Sequence, residues 1–485
     1  MTSSTLARGV WGAGISMVGQ IIVIVIQLLG TIVLSRLLAP ADFGLVAMVA
    51  VFMAIGALIR DFGMPTAALA APSLNDQQAS NVFWVSAALS FVAGLLLLVG
   101  SPLIVLFYSE PRLAWIVPPM AGILVLNGLQ AQYQVRLARS MQFSAVVAIS
   151  VASTAIAFAV AVLAAVSGWG YWALVVQQAA SALVSLLASL LVTRWLPTWP
   201  RRASGSMKLV RAGGDVGIAN VLGFLADNAD TLVIGAVWGS VPLGLYNRAF
   251  QLFMYPVNAV FGPLTRVIIP VVNRAVAEGR SAASVLLRVQ FGVCGLAVWL
   301  LLVTSVTAPW LVPLLLGAQW AEAAPLVQIL ALGGAFKALS QTNYWAYLVE
   351  QQTRQLLTSN LITKPLQILL IVGAGFISVE MVAWAFVLGR ALTWPFNLMW
   401  LSRTASGYSW PFAANGARLL LSAGLSFFVT ELLLSWLQFS SSILTIILGT
   451  IASTLAFFAC LYLVPGGRAE MNQASILMNS LRAQR

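Results

Sequence analysis

The chain has 485 residues, of which 60% are hydrophobic and 8% are charged, and its formal net charge is +12. Soluble domains carry about 25% charged residues, so this composition excludes a soluble globular protein and indicates an integral membrane protein. The chain contains no histidine, which excludes His-based catalysis and histidine metal ligands, and we expect neither a metal nor a cofactor.

Apolar runs long enough to cross a bilayer occur fourteen times. A spanning helix needs about 20 mostly apolar residues, and these runs are continuous rather than alternating, which predicts helices and not strands. The first run has no evident cleavage site and is predicted to be retained as a span. The predicted spans are 11–34, 44–62, 83–107, 114–134, 143–166, 171–193, 217–238, 248–272, 286–316, 323–349, 355–377, 379–402, 416–437 and 442–464.

Two predicted spans contain prolines that are expected to distort them. The ninth holds Pro309 and Pro313 and is expected to kink or end early. In the eleventh, Lys364 precedes Pro365, which makes this position a candidate helix break.

Lysine and arginine are distributed unevenly over the two sides of the predicted membrane. About 18 of the 25 lie in segments that are cytoplasmic if the N-terminus is inside, and about three lie in outer loops. This bias predicts that both termini are cytoplasmic. We therefore assign the positive charge to orientation and to contact with anionic membrane lipids, not to nucleic acid. The longest and most basic loop, 194–217, is predicted to lie on the inner leaflet, either as a plain linker or with a lipid-regulatory role.

An internal repeat relates the two halves of the chain. Residues 30–45 align without gaps to residues 230–245, and the identical pairs are Thr31 and Thr231, Val33 and Val233, Gly44 and Gly244, and Leu45 and Leu245. The offset of 200 residues equals six spans, so the repeated helices run in the same direction. The pattern predicts parallel halves related by an axis along the membrane normal.

Three segments resemble motifs of the Wzx-type polysaccharide transporter family, within the multidrug/oligosaccharidyl-lipid/polysaccharide flippase superfamily. They are LSRLLAPADFGLVAM (34–48), DNADTLVIGAVWGSVPLGLYNRAFQL (227–252) and PVNAVFGPLTRVIIPVVNR (256–274). The branch is similar to exporters of colanic acid, teichuronic acid or related exopolysaccharide units. Ala39 stands where the family commonly has glycine.

The resemblance implies an all-α polytopic fold of two pseudo-symmetric six-helix lobes around a central cavity, plus two C-terminal helices. The lobes are expected at 1–200 and 201–402, with the last two spans and a cytoplasmic tail at 403–485. It also implies alternating-access transport of a polyprenyl-diphosphate-linked oligosaccharide across a bacterial inner membrane, coupled to H⁺ or Na⁺. A polysaccharide polymerase or export machinery is the implied protein partner.

Five cations are predicted to line that cavity. A diphosphate must cross about 30 Å of hydrocarbon, which requires a polar and preferably cationic path. Arginine suits phosphate because its planar fork can bond two oxygens. The open alternative for Arg60 is a structural pair with Asp61 or snorkelling to the surface, and for Arg266 it is snorkelling. Lys337 and Arg390 lie mid-span, where snorkelling is harder. The candidates are Arg60, Arg266, Lys337, Lys364 and Arg390.

Acidic residues in the spans are predicted to serve coupling or gating. Asp227 and Asp230 lie three residues apart in the seventh span, which places them on one helical face, and Asp61 follows Arg60 in the second. A carboxylate repels a diphosphate unless it is paired or protonated. Asp230 is expected to bind H⁺ or Na⁺ in one state and a cation such as Arg266 in the other, and a fixed interhelical salt bridge is the alternative.

Amide side chains in the spans are candidates for contact with sugar hydroxyls. Equally, they are candidates for hydrogen bonds that cross-link helices. These residues are Gln20, Gln27, Asn258, Gln341 and Asn343.

Two other functions stay open at this stage. A cation-coupled antiporter of drugs or other small molecules, similar to the MATE transporters, shares the superfamily and the carboxylates. A membrane-embedded polysaccharide polymerase or ligase usually presents a sizeable outer loop, whereas no outer loop here exceeds about a dozen residues or clusters carboxylates for acid–base work.

Overall fold

The computed structural model describes residues 3–61, 75–200, 223–405, 407–408, 410–437 and 441–464. Within these ranges the chain forms helices and their connections and no strand. The side chains that are not described there belong to residues 3–13, 59, 61, 255, 256, 258–260, 262, 263 and 266.

Sixteen helices follow one another along the described ranges. They are α1 (Ser3–Leu37), α2 (Pro40–Asp61), α3 (Asp76–Val99), α4 (Ser101–Tyr108), α5 (Leu113–Arg139), α6 (Phe143–Val166), α7 (Trp172–Thr193), α8 (223–238), α9 (Ser240–Ala277), α10 (Ala282–Val289), α11 (Gly295–Leu316), α12 (Ala323–Val349), α13 (Thr353–Gly375), α14 (Val379–Ser402), α15 (Trp410–Leu437) and α16 (Ser442–Leu463). A π-helical turn at Gln290–Cys294 joins α10 to α11, and a short 3₁₀ turn, Ala318–Trp320, precedes α12.

Eleven helical stretches within the described residues are long and apolar enough to cross a membrane. They correspond to eleven of the predicted spans, with α10, the π turn and α11 forming one of them. The predicted helical membrane fold is confirmed. The count of fourteen stays a prediction, because α8, α9 and α14 are not among these eleven stretches in the described part of the chain.

Polar caps and glycines set several helix ends. The Asn75 side chain accepts a hydrogen bond from the Gln78 backbone N–H (2.7 Å), and the Gln78 side chain accepts one from the Asn75 N–H (3.1 Å). This reciprocal pair satisfies two N–H groups at the start of α3 that have no helical partner. Gly239, with a φ of 83°, makes the turn between α8 and α9, a left-handed conformation that glycine adopts without strain.

The predicted early end of the ninth span and the predicted helix break at Pro365 were wrong, and the predicted kink stays a prediction. Helix α11 continues through Pro309 and Pro313 to Leu316, and α13 runs unbroken through Pro365. Membrane helices tolerate proline where neighbouring groups satisfy the freed carbonyls. The irregularity in the ninth span lies upstream of its prolines, at the π turn.

The chain divides into two compact units, Met1–Gly244 and Leu245–Arg485. In the first unit, α5 packs against α2, α3 and α7, and α6 packs against α1 and α7. Small residues allow the close approach of α3 and α5, since a Cβ on Gly94 would lie 3.1 Å from the Ala121 carbonyl oxygen. The domain boundaries predicted at 200 and 402 stay predictions.

In the second unit, α12 packs against α11 and α14, and α13 packs against α14. The last two helices, α15 and α16, pack against each other and against α11. Trp299 Nε1 on α11 donates to Thr454 Oγ1 on α16 (3.1 Å), and Gln328 Nε2 on α12 donates to Glu431 Oε1 on α15 (3.4 Å). These polar contacts join the C-terminal helices to the rest of their unit.

The repeat appears in the first unit as a reciprocal contact between the first turns of α2 and α9. A Cβ on Gly44 would overlap the carbonyl oxygen of Ser240, and a Cβ on Gly244 would overlap the carbonyl oxygen of Pro40. Ser240 and Pro40 are also 200 residues apart in the sequence. The contact of Gly44 with Ser240 and the contact of Gly244 with Pro40 are therefore equivalent under the repeat. Both positions therefore require glycine for backbone contact.

The beginning of the basic linker lies against α3. Trp84 Nε1 donates to the Thr198 carbonyl oxygen (2.9 Å), and the Trp84 and Trp199 rings stack with centroids 5.7 Å apart. Aromatic residues of this kind suit a membrane–water interface. Linker residues 201–217 lie outside the described residues, and their predicted place on the inner leaflet stays a prediction.

Candidate functional site: a cavity in the first unit

A cavity of about 640 Å³ lies between α2, α5 and α7 inside the first unit. Ligand pockets usually have volumes of about 300–1,000 Å³, so this cavity is large enough for a substrate group. Eight of its described lining residues are apolar, four are amides and one is a cation. They are Ala50, Met53, Ala54, Ala57, Arg60, Leu124, Asn127, Gln130, Ala131, Gln134, Val135, Ala138 and Gln178.

Arg60 supplies the positive charge of the cavity wall. It stands in the last turn of α2, where a cation is favoured by the partial negative charge of the helix C-terminus. Its Cδ lies 3.1 Å from where a Cβ on Gly128 would be, so the absent side chain of Gly128 leaves room for the arginine stem along α5. The absence of a side chain at Gly128 also leaves space for Ser90 of α3. The Ser90 Oγ donates a hydrogen bond to the Ser86 carbonyl oxygen (2.6 Å). Glycine at 128 thus positions the predicted cation at the cavity.

Four amides face the cavity with Arg60. Asn127, Gln130 and Gln134 occupy positions i, i+3 and i+7 of α5, which share one helical face. Gln178 lines the cavity from α7. Over the part of the chain that the structure describes, none of these four side chains makes a hydrogen bond to protein. Their donors and acceptors are available to a ligand or to water.

The described cavity wall has no acidic residue. A guanidinium attracts anions through its positive charge. The apolar residues, five of them alanines, leave space beside the polar groups. The arrangement can therefore hold an anionic group at Arg60 and a hydroxyl-rich group along the amides.

The other four predicted cations belong to the second unit, and the side chains of three of them are described. The Arg390 guanidinium carbon lies 5.3 Å from the Phe386 ring centroid, within reach of a cation–π interaction. Lys337 Nζ donates to Met254 Sδ (3.4 Å), and Lys364 is half-buried on α13. The side chain of Arg266 lies outside the described residues. The substrate contacts predicted for these four stay predictions.

The two carboxylates of α8 differ in exposure. Asp230 is 3% exposed and its Oδ1 accepts a hydrogen bond from the Thr231 backbone N–H (2.8 Å), whereas Asp227 is exposed. The side chain of Asp61 lies outside the described residues. The coupling roles predicted for all three stay predictions.

The predicted sugar contacts are scattered. Asn343 is buried and its Nδ2 donates to the Trp394 carbonyl (3.1 Å), a bond that joins α12 to α14. Gln20 and Gln27 are exposed on α1, and Gln341 is half-buried on α12. The Asn258 side chain lies outside the described residues. None of the five lines the described cavity.

The amides that do line the cavity were missed by the sequence analysis. Asn127, Gln130 and Gln134 fall within the last eight residues of the predicted fourth span, and Gln178 lies inside the sixth. Their helical spacing on one face of an otherwise apolar segment is a signal that could have identified the first three.

The comparisons with known proteins identify the family. Residues 33–325 match the family model described as "Polysaccharide biosynthesis protein". The chain is 26% identical over 302 residues to the succinoglycan biosynthesis transport protein ExoT of Rhizobium meliloti (strain 1021), covering 62% of this chain and 61% of the relative. It is 24% identical over 295 residues to the teichuronic acid biosynthesis protein TuaB of Bacillus subtilis (strain 168), covering 59% and 60%. The match thus spans about 60% of the length of these relatives.

Solved structures share the fold. The inward closed conformation of the lipid II flippase MurJ aligns with a TM-score of 0.71 at 11% identity, covering 92% of this chain and 98% of that one. An inward-facing multidrug resistance MATE family transporter of the MOP superfamily aligns with a TM-score of 0.60 at 14% identity, covering 81% and 95%. At these identities the likeness concerns the fold alone, and it confirms the predicted all-α polytopic membrane fold.

Proposed function

The chain belongs to the polysaccharide biosynthesis protein family, and on that premise we propose that it is a flippase for lipid-linked glycans. It moves polyprenyl-diphosphate-linked oligosaccharide units from the cytoplasmic to the periplasmic leaflet of a bacterial inner membrane by alternating access. The units feed exopolysaccharide, capsule or O-antigen synthesis, where a polymerase or export machinery receives them. Both termini lie in the cytoplasm.

The cavity of the first unit is the observation that carries this proposal. Its described wall combines Arg60, which suits a diphosphate, with four amides that suit sugar hydroxyls, and has no acidic residue. A drug–cation antiporter needs negative charge or aromatic faces for a cationic substrate, and neither occurs among the described residues that line this cavity. The remaining predicted cations, Arg266, Lys337, Lys364 and Arg390, are proposed to contact the diphosphate at other stages of its passage.

The relatives support the substrate class. ExoT is named a succinoglycan transport protein and TuaB a teichuronic acid biosynthesis protein, and both names concern polysaccharides. MurJ, which shares the fold, is named a flippase of lipid II.

A binding assay on the purified protein separates the candidate functions. We expect radiolabelled polyprenyl-diphosphate oligosaccharide to bind saturably and to be displaced by the unlabelled lipid, but not by an excess of a lipophilic cation such as tetraphenylphosphonium. Binding of the cation without binding of the glycan lipid would instead support an antiporter. Lengthening or transfer of the glycan on incubation would support a polymerase or ligase.

Asp230 is proposed to be a switch residue, not a substrate contact. It is a buried carboxylate in a helix of a protein that passes an anion, and we propose that it exchanges a proton or Na⁺ for a cationic partner between states. A difference of a few kcal/mol between two states is enough to move most molecules from one to the other. Asp230→Asn should therefore bind the glycan lipid like wild type but translocate it several-fold more slowly.

Accessibility labelling reports the state populations directly. A single cysteine replaces Ala57 in the cavity wall, in a background where Cys294 and Cys460 are alanine. Asp230→Asn should change the labelling rate by an impermeant maleimide, and should reduce its response to an imposed pH or Na⁺ gradient. If wild type and Asp230→Asn are labelled identically under every gradient, Asp230 belongs to a fixed structural pair and the switch proposal fails.

A further inference from the structure

The amides of the cavity form a row that is separate from its cation. Asn127, Gln130 and Gln134 follow one another along one face of α5 over about 10 Å, at 1.5 Å of rise per residue. Gln178 on α7 adds a fourth amide to the same cavity, and Arg60 stands on α2. We refer to the four amides as the amide row.

Three amides elsewhere in the described helices are hydrogen-bonded to the protein. Asn415 Nδ2 donates to Gln290 Oε1 (3.1 Å), Asn228 Nδ2 donates to the Phe224 carbonyl (2.9 Å), and Gln251 Nε2 donates to Asn247 Oδ1 (2.9 Å). An amide in a membrane helix usually finds such a partner, because an unpaired polar group is costly in an apolar setting. The amide row makes no such bond within the described residues, although its four members are half-buried.

We propose that the amide row reads the sugar next to the diphosphate and selects an uncharged one. This inference rests on the proposed function. Each carboxamide offers two donors and one acceptor oxygen, which matches a sugar hydroxyl or acetamido group that both donates and accepts. The alanines and Met53 beside the row give apolar contact for the carbon–hydrogen faces of the ring.

The charge of the cavity decides against an acidic first sugar. Arg60 is the cation of the described wall, and the diphosphate already carries more negative charge than one guanidinium neutralises. A uronic acid at the first position would add a carboxylate opposite amides, with no further cation among the described lining residues. Neutral amide donors compensate a carboxylate less than a cation does, and the neighbouring diphosphate repels it.

The test measures binding of three probe lipids to the full-length protein in detergent. They are a polyprenyl diphosphate without sugar, the same lipid carrying one N-acetylhexosamine, and the same lipid carrying one uronic acid. We expect wild type to bind the N-acetylhexosamine lipid roughly tenfold or more tightly than the other two, since several neutral hydrogen bonds add up to at least that factor.

The variants replace the amide without emptying the site. Gln130→Met with Gln134→Met keeps a similar side-chain length and removes the hydrogen bonds, and Gln178→Met tests the opposite wall. The pair should lose most of the preference for the N-acetylhexosamine lipid while binding the sugar-free lipid like wild type. Gln142→Met makes the same exchange at an exposed position outside the cavity and should change nothing. Thermal unfolding confirms that each variant is folded.

The outcomes separate the inference from the proposed function. If the folded variants keep the wild-type preference, or if wild type binds all three lipids equally, the amide row does not read the sugar and the flippase proposal stands. If wild type prefers the uronic acid lipid, the selection for an uncharged sugar is overturned. If wild type binds none of the lipids, the proposed function itself fails.

Discussion

Arg60→Gln should weaken binding of a polyprenyl diphosphate by about ten- to a hundredfold, whether or not the lipid carries sugar. Hydrogen bonds to charged groups contribute about 1.5–3 kcal/mol, and about 1.4 kcal/mol corresponds to a factor of ten in affinity. The loss should be the same for bare and glycosylated lipids, because Arg60 is proposed to contact the diphosphate. This uniform loss distinguishes the arginine from the amides of the cavity.

Two further variants define the role of the charge. Arg60→Lys should recover only part of the affinity, because an ammonium lacks the planar fork that bonds two phosphate oxygens. Arg280→Gln removes the same charge from an exposed pair with Glu278 and should leave binding unchanged. Equilibrium binding of the radiolabelled lipid measures all three. Wild-type affinity in a folded Arg60→Gln protein would remove this residue from the substrate site.

Gly44→Ala and Gly244→Ala should each destabilise the protein by about 1–3 kcal/mol or more. Overpacking costs this much where the surroundings can shift, and here the added methyl group meets the backbone carbonyl of Ser240 or Pro40 and not a flexible side chain. The contact is reciprocal, so the two variants should behave alike. The apparent unfolding temperature of the purified protein, compared at one scan rate, measures the effect.

Gly122→Ala is the matched control for these variants. It lies in α5 of the same unit, and a Cβ there would meet nothing within 4 Å. Alanine in a helix interior is favoured over glycine by about 0.5–1 kcal/mol, so this variant should unfold at the same or a higher temperature. If Gly44→Ala and Gly244→Ala match the control, the close contact between the repeats does not exist in solution.

The fold class could be predicted from the sequence because membrane-spanning helices appear there as long continuous apolar runs. Each run of about 20 residues has few alternatives to a spanning helix. The sequence repeat has four identities in sixteen positions. Two of the identical residues, Gly44 and Gly244, also make equivalent backbone contacts in the structure. Glycine identities carry more information than apolar ones, because only glycine permits backbone contact.

The site was less accessible to sequence reasoning. Charges in apolar segments are conspicuous, so Arg60 was found, but the Gly128 position that makes room for it depends on how α3 and α5 pack. The expected helix ends at prolines were wrong because proline disrupts soluble helices more than membrane helices, whereas α11 and α13 continue through theirs. The amides were missed because a mid-span amide reads equally as a helix cross-link, as Asn343 turned out to be. Only the three-dimensional arrangement shows which amides lack a partner in the described protein.

Transport in liposomes tests the central proposal most directly. The purified protein is reconstituted with a polyprenyl-diphosphate oligosaccharide that carries a fluorophore on its sugar in both leaflets, and an impermeant reductant is added outside. We predict that wild type moves the inner-leaflet lipid to the outer leaflet, so that bleaching continues beyond the outer-leaflet pool. The rate of this further bleaching should respond to a pH or Na⁺ gradient and should be lower in Arg60→Gln. Bleaching that stops at the outer-leaflet pool under every gradient, as in protein-free liposomes, would contradict the proposal.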